Sequence, residues 1–245
     1  METKLHHKWQ DVTLNLQHLT PGYYTISLTM SQALSQTYIY LHGFASSPNS
    51  FKANYLRDRF AESAIPLTIP NLNQGDFSNL TLTRQLEQVA REFPGEESKI
   101  TLIGSSFGGL TSTWLAEQYP QVDRLVLLAP AFEFLSHWIA SLGPKRMEQW
   151  QEQGYLPIYH YGEKRDIPLS YQFIIDAKSY VEPQLQRQLP TLIVHGVKDE
   201  VIPVEASRRF VASRPWVKKV ELDSDHGLAD AMPEIWEAIR DFCRI

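Results

Sequence analysis

The chain of 245 residues holds a single cysteine, Cys243. That excludes a disulfide framework and a thiolate metal site. No apolar run reaches the roughly 18 residues that a membrane-spanning helix needs. The first residues, "METKLHHKWQDV", lack the apolar core of a signal peptide. Positive charge is also in short supply. There are 23 Lys and Arg against 28 Asp and Glu, a formal net charge of −5, which argues against general nucleic-acid binding. The His6-His7 pair has no spaced companions, so no metal site is expected. These absences point to a soluble, cytoplasmic protein.

What remains is ordinary globular composition, 43% hydrophobic and 21% charged. A chain of this size buries most of its apolar surface without staples, and one domain over residues 1–245 is expected. Short apolar runs alternate with helix-period segments. "TYIYLHGF" (37–44), "PLTIPNL" (66–72), "KITLIGS" (99–105), "DRLVLLAP" (123–130), "TLIVHG" (191–196) and "VKKVEL" (217–222) read as strands. Their nearly continuous apolar character fits parallel strands covered on both faces. Between them, Ser47-Pro48 reads as a helix start ahead of Phe51, Tyr55 and Phe60 on one stripe. Leu82, Leu86, Val89 and Phe93 form a second stripe, and Ile235, Ile239 and Phe242 a third. Strand–helix alternation of this kind predicts a mostly parallel, twisted sheet with helices on both faces.

Two segments break the alternation. Residues 12–30 alternate apolar and polar positions around Pro21-Gly22, the pattern of an antiparallel edge hairpin. Residues 132–189 are too long for a simple connection. They are rich in aromatics, with ten of the chain's 28 between Phe132 and Tyr180. Counting the hairpin, this insertion follows the sixth strand. It leaves the sheet edge next to the stretch "TLIGSSFGGL" and so must pass over it, and it reads as a helical cap. Its aromatic face, with Trp138, Trp150 and Tyr159 foremost, is expected to wall a binding pocket, with Lys164 and Arg165 on the rim.

"TLIGSSFGGL" carries the chemistry. A serine hydroxyl is a poor nucleophile unless it is exposed on a strained strand-to-helix turn beside a base. That turn brings the residues two before and two after the serine together, giving G-x-S-x-G. Ser106, between Gly104 and Gly108, meets the pattern; Ser105, between Ile103 and Phe107, does not. Chance alone yields such a match in about one chain in twelve of this length, so the weight lies in its context between strand and helix. The alternative is a glycine-rich phosphate cradle, but the lysine of G-x-x-x-x-G-K-[ST] is missing.

A serine nucleophile needs a histidine base and an orienting acid, here in the order Ser, acid, His. "VKDEVIP" follows one strand and offers Asp199; "DSDHGL" follows the last and offers His226. Glu200, Asp223 and Asp225 compete for the acid role, and His42, His137, His160 and His195 for the base. None matches chain order and strand-end position as well. The oxyanion of an attacked carbonyl would take the backbone N–H groups of Phe107 and of Phe44, with Ala45 as second choice for the latter.

The set "YLHGFASSP", "GSSFGG", "HGVKDEVIP" and "SDHGL" resembles the α/β-hydrolase superfamily from Thr37 onward, and within it the small YqiA-like serine esterases. The resemblance implies the α/β-hydrolase fold, a Ser106, Asp199, His226 triad, a small-molecule carboxylic ester or thioester substrate of small to medium acyl group, and no cofactor. The chain departs from the smallest members in its N-terminal extension and its longer insertion. The insertion is closer to acyl-thioesterase-like relatives. A serine peptidase or amidase on the same scaffold is less favoured, because 245 residues leave no room for a peptide-selecting domain. A non-catalytic binding relative would be expected to have lost a triad position, and none is lost.

Overall fold

The computed structural model describes residues 36–95 and 97–245; the hairpin expected at 12–30 lies outside them. Six strands form one sheet in the order β2-β1-β3-β4-β7-β8, with every neighbouring pair parallel. They are β1 (Gln36–Leu41), β2 (Leu67–Thr68), β3 (Lys99–Ser105), β4 (Val122–Leu128), β7 (Thr191–Gly196) and β8 (Val217–Leu222). β3 and β7 are buried along almost their whole length, which is why their sequences read as unbroken apolar runs. β2 shrinks to two residues because Pro66 and Pro70 cannot donate to a ladder.

Successive side chains leave opposite faces of the sheet. Ile39, Leu41, Leu102 and Leu127 join α2 (Leu82–Arg91), α3 (Phe107–Gln118) and α7 (Val204–Ala212) on one side. Tyr38, Tyr40, Ile103 and Val126 join α1 (Phe51–Glu62) and α8 (Met232–Cys243) on the other. α1 begins later than Ser47-Pro48 suggests. Ser50 is its cap, and the Ser50 hydroxyl accepts from Ala53 N–H at 3.3 Å. Its buried stripe is Ala53, Leu56 and Phe60, whereas Phe51 is 60% exposed.

The insertion leaves β4, the fourth described strand, and returns at β7. It holds α4 (Phe134–Leu142), α5 (Pro144–Gln153) and α6 (Gln172–Ala177), as a helical cap should. It also holds an antiparallel hairpin, β5 (Tyr155–His160) with β6 (Arg165–Ser170). Two attachments fix it to the body, and a third contact ties its own two ends together. Asp176 accepts from Thr83 N–H (3.1 Å) and the Thr83 hydroxyl (2.5 Å) at the N-terminus of α2, where the helix dipole favours an anion. Tyr161 N–H, in the hairpin turn, donates to Ala45 O at 2.8 Å. Glu182, near the end of the insertion, accepts from the N–H of Glu133, near its start, at 2.6 Å.

The last contact has an electrostatic cost. Burial, with the nearby Glu133 carboxylate, raises the Glu182 pKa to about 7. The native state therefore holds this proton more tightly than the unfolded chain. Stability is lost as pH rises from about 4.3, the unfolded glutamate value, through 7, and stays lost above it. Glu182→Gln keeps a carbonyl acceptor for Glu133 N–H and removes the charge. It should raise the melting temperature by roughly 2–6 °C at pH 8.5 and by little at pH 5. An equal change at both pH values would rule out this electrostatic account.

Candidate active site

β1 and β3 are neighbours, yet the chain runs from β1 outward to β2 and then returns to β3 on the other side. This reversal opens a crevice at the carboxyl ends of β1 and β3, where α/β sheets hold their ligands. Ser106 sits there between β3 and α3 at φ 53°, ψ −118°, a conformation that side-chain-bearing residues avoid. The turn is held from all sides. Ser106 N–H donates to Leu128 O (2.9 Å), and its carbonyl accepts from Gly109, Leu110 and Ala131 N–H at 2.8, 3.2 and 3.0 Å. Gly104 and Gly108 meet across it. A Cβ on Gly104 would overlap the Gly108 carbonyl, and one on Gly108 would overlap the Leu41 carbonyl. Close backbone approach, rather than backbone freedom, demands both glycines.

Asp199 follows β7 and His226 follows β8. The structure brings both to Ser106: His226 Nε2 lies 3.0 Å from Ser106 Oγ, and His226 Nδ1 2.7 Å from Asp199 Oδ2. Asp199 Oδ1 accepts from the N–H groups of Val201 (2.9 Å) and Ile202 (2.8 Å). Two of the three competing acids are engaged elsewhere. Asp225 accepts from Leu228 N–H within its own turn, and Asp223 pairs with Lys198 at 2.8 Å on the surface.

His195, a competitor for the base in sequence, instead contacts the acid. It is fully buried, with Nε2 3.1 Å from Asp199 Oδ2 and 3.0 Å from Ile202 O, while Nδ1 faces Ser207 Oγ at 2.8 Å. Two acceptors at Nε2 place the ring proton there. Burial alone would raise the Asp199 pKa. Bonds from His195, His226 and Ile202 N–H outweigh it and hold the carboxyl well below the usual range.

The loop after β1 carries the other expected groups. Gly43 lies close to Ser106, since a Cβ placed on it would sit 3.4 Å from Ser106 Cβ. His42, a competitor for the base in sequence, instead braces this loop. Its Nδ1 donates to Gly43 O (2.9 Å) and its Nε2 accepts from Leu72 N–H (3.1 Å). Burial lowers its pKa to about 4, so it is neutral near pH 7, as this pair of bonds requires. Phe107 begins α3, so its N–H has no intrahelical acceptor.

The cap aromatics are placed differently from the sequence expectation. Trp150 is wholly buried inside the cap, its indole N–H on Leu169 O at 2.8 Å, so it holds the cap together and does not face a ligand. Tyr159 is 48% exposed and packs against Tyr161. Trp138 packs on Phe44, Phe134, Trp150 and Phe173. None of the three lines the cleft beside Phe107. Arg165 pairs with Glu163 beside Lys164 at the exposed hairpin turn. That cleft, about 530 Å³, is walled by Leu82, Phe107, Leu110, Phe134 and Phe210, with Glu133 and Arg209 among its polar residues, and none of Ser106, Asp199 and His226 lines it. Among the described residues, no cluster of His, Cys, Asp or Glu could hold a metal, and no helix is long and apolar enough to cross a membrane.

Known proteins share this architecture. The chain is 24% identical to the uncharacterized hydrolase YugF of Bacillus subtilis (strain 168), covering 85% of this chain and 90% of that protein. Mouse alpha/beta hydrolase domain-containing protein 10 superposes with a TM-score of 0.71 at 20% identity, over 85% of this chain and 89% of the other. Est1E from Butyrivibrio proteoclasticus, in a structure with ferulic acid bound, does so with a TM-score of 0.65 at 19% identity, over 85% and 88% of the two chains. The fold is thus that of the α/β hydrolases, and the match over residues 37–243 makes the chain a member of the Uncharacterised protein family (UPF0227).

Proposed function

We propose that the protein is a serine hydrolase that cleaves carboxylic esters or thioesters of a small to medium acyl group through an acyl-enzyme. The observation that carries this reading is the unbroken hydrogen-bond chain Asp199–His226–Ser106, at 2.7 and 3.0 Å, ending on a serine at a strained turn. Both distances fall in the range required of nucleophile, base and orienting acid before substrate binds. Asp199 fixes the His226 tautomer with Nδ1 protonated, so the Nε2 lone pair takes the Ser106 proton. Ser106 Oγ attacks the carbonyl carbon, and the backbone N–H groups of Phe44 and Phe107 receive the oxyanion. His226 then returns the proton to the leaving alcohol or thiol, and water releases the acid by the same steps. No step needs a cofactor. The Est1E structure with ferulic acid bound supports a small organic acid as the acyl product.

Ser106→Ala should abolish covalent labelling by a fluorophosphonate probe, while Ser105→Ala should retain it. Ester hydrolysis should fall about 10⁶-fold on losing Ser106 or His226 and roughly 10⁴-fold for Asp199→Asn. Labelling that survives in Ser106→Ala, or a wild type inert to p-nitrophenyl esters and acyl thioesters from short to long, would reject the reading.

The acyl group should lie along the cleft beside Phe107. Leu110→Ala and Phe134→Ala should move the chain-length optimum for p-nitrophenyl esters toward longer acyl groups, with a selectivity change of about 10-fold or more. Trp150→Ala should cost stability, roughly 3–5 kcal/mol, and leave the optimum in place. A shifted optimum in Trp150→Ala with unchanged profiles in the other two would place the acyl group under the cap aromatics instead.

A further inference from the structure

Lys52 has no role in the triad, yet its ammonium lies at the back of it. It is the second residue of α1, in the first turn, where the helix dipole favours an acid and disfavours a cation. No acidic residue occupies that turn. A lysine there breaks the local rule, which is a sign of a tertiary demand. That demand is visible across the fold. Lys52 Nζ donates to Gly227 O at 2.8 Å and lies 3.5 Å from His226 O. These carbonyls belong to the irregular loop between β8 and α8 that presents the histidine. Among the described residues no backbone N–H bonds to either of them. The loop is tied at its ends, by Lys198 N–H to Ser224 O (3.0 Å) and by a Ser224–Asp230 side-chain bond. At its tip, the His226 side chain reaches Asp199 and Ser106, and the hydrogen bonds that hold its backbone carbonyls come from Lys52.

Resting on the hydrolase reading above, we propose that Lys52 is a positioning residue: its ammonium pins the backbone at His226-Gly227, holds the imidazole in line between Asp199 and Ser106, and places a positive charge behind the triad. The charged and titratable groups facing it are Asp199 from the loop after β7, and Asp225 with His226 from the loop after β8. Other side chains of those loops are engaged at the surface, Lys198 with Asp223. Burial lowers the Lys52 pKa to about 8, against the opposing pull of Asp199 and Asp225. The charge is therefore present below about pH 8 and fades above it, and with it the grip on the histidine loop.

The test uses the full-length protein with p-nitrophenyl acetate and a fluorophosphonate probe, comparing wild type, Lys52→Arg and Lys52→Met from pH 5 to pH 10. Lys52→Met should lower kcat and the labelling rate by roughly 10–100-fold, with KM changed by less than about 3-fold. Its kcat/KM profile should have its acid limb at higher pH, because a positive charge that favours the neutral base is gone. Wild type should lose activity above about pH 8, and Lys52→Arg, which stays charged, should keep activity at pH 7 and lack that alkaline decline. Melting temperature, read in parallel, separates alignment from folding. A folded Lys52→Met with wild-type kcat and pH profile overturns the proposal while leaving the hydrolase reading intact. If Lys52→Met does not fold, an alkaline decline unchanged in Lys52→Arg overturns it equally. A wild type that neither hydrolyses nor labels overturns both together.

Discussion

The site depends on one close backbone approach, that of Gly104 to Gly108 across Ser106. Only there can β3 stop and α3 start within a single residue, and the positive φ at Ser106 is what that sharp turn costs, of order 1–3 kcal/mol. The strain persists because the surroundings over-determine it. Four backbone bonds end on Ser106, and both elements it joins are buried along nearly their whole length. The same turn does two chemical jobs. It presents Ser106 at the sheet edge and leaves the first N–H of α3 without a helical partner. In the proposed mechanism, nucleophile and oxyanion donor are thus set by one backbone geometry, not by two side chains that could drift apart.

From that fixed point the remaining groups arrive by topology. Parallel strands all end at one edge, so the loops after β1, β3, β7 and β8 converge without further design. The cap joins the same edge. Its hairpin turn bonds to Ala45 O beside the expected oxyanion donor. Phe134 and Phe173 of the cap pack against the rings of both Phe44 and Phe107. Side chains of the two expected oxyanion residues therefore serve as the floor on which the cap sits. That gives a physical reason for bulky rings at positions whose chemistry uses only their backbone.

Much of this was legible in the sequence, and the misses have physical causes. β3 and β7 match the sequence expectation to the residue because a strand buried on both faces leaves a nearly uninterrupted apolar run, and β8 matches too although most of its residues are only partly buried. The meeting of Ser106, Asp199 and His226 was legible because the proposed chemistry fixes residue type and the parallel sheet fixes place. The cap hairpin was not, because Pro157 and Pro168 lie opposite each other in its two strands. Proline argues against a central strand, but both strands of a two-stranded hairpin are edges, where its missing N–H can face away from the partner. The cap aromatics misled for a different reason. Composition cannot separate a tryptophan that packs a lid from one that meets a ligand, and Trp150 found its partner in Leu169 O. Lys52 was invisible for the converse reason: its partners are carbonyls 174 and 175 residues away, which carry no side-chain signature.

The acid shows how far such hidden partners go. One oxygen of Asp199 is taken by two backbone N–H groups, and the other is shared between His226 and the buried His195. A carboxylate with four donors cannot rotate without breaking several charge-assisted bonds, each stronger than a neutral one. His195 gains its own orientation from Ile202 O and Ser207, so the restraint passes from α7 through one histidine to the acid, and through the acid to the other. The two histidines differ in one respect that decides their chemistry. His195 has both ring nitrogens committed and no solvent, whereas His226 is part-exposed and keeps Nε2 turned to Ser106. A ring enclosed on every side can only hold; a ring with one nitrogen facing a hydroxyl at the mouth of a crevice can exchange a proton. The division of labour between two residues of the same type thus follows from burial alone.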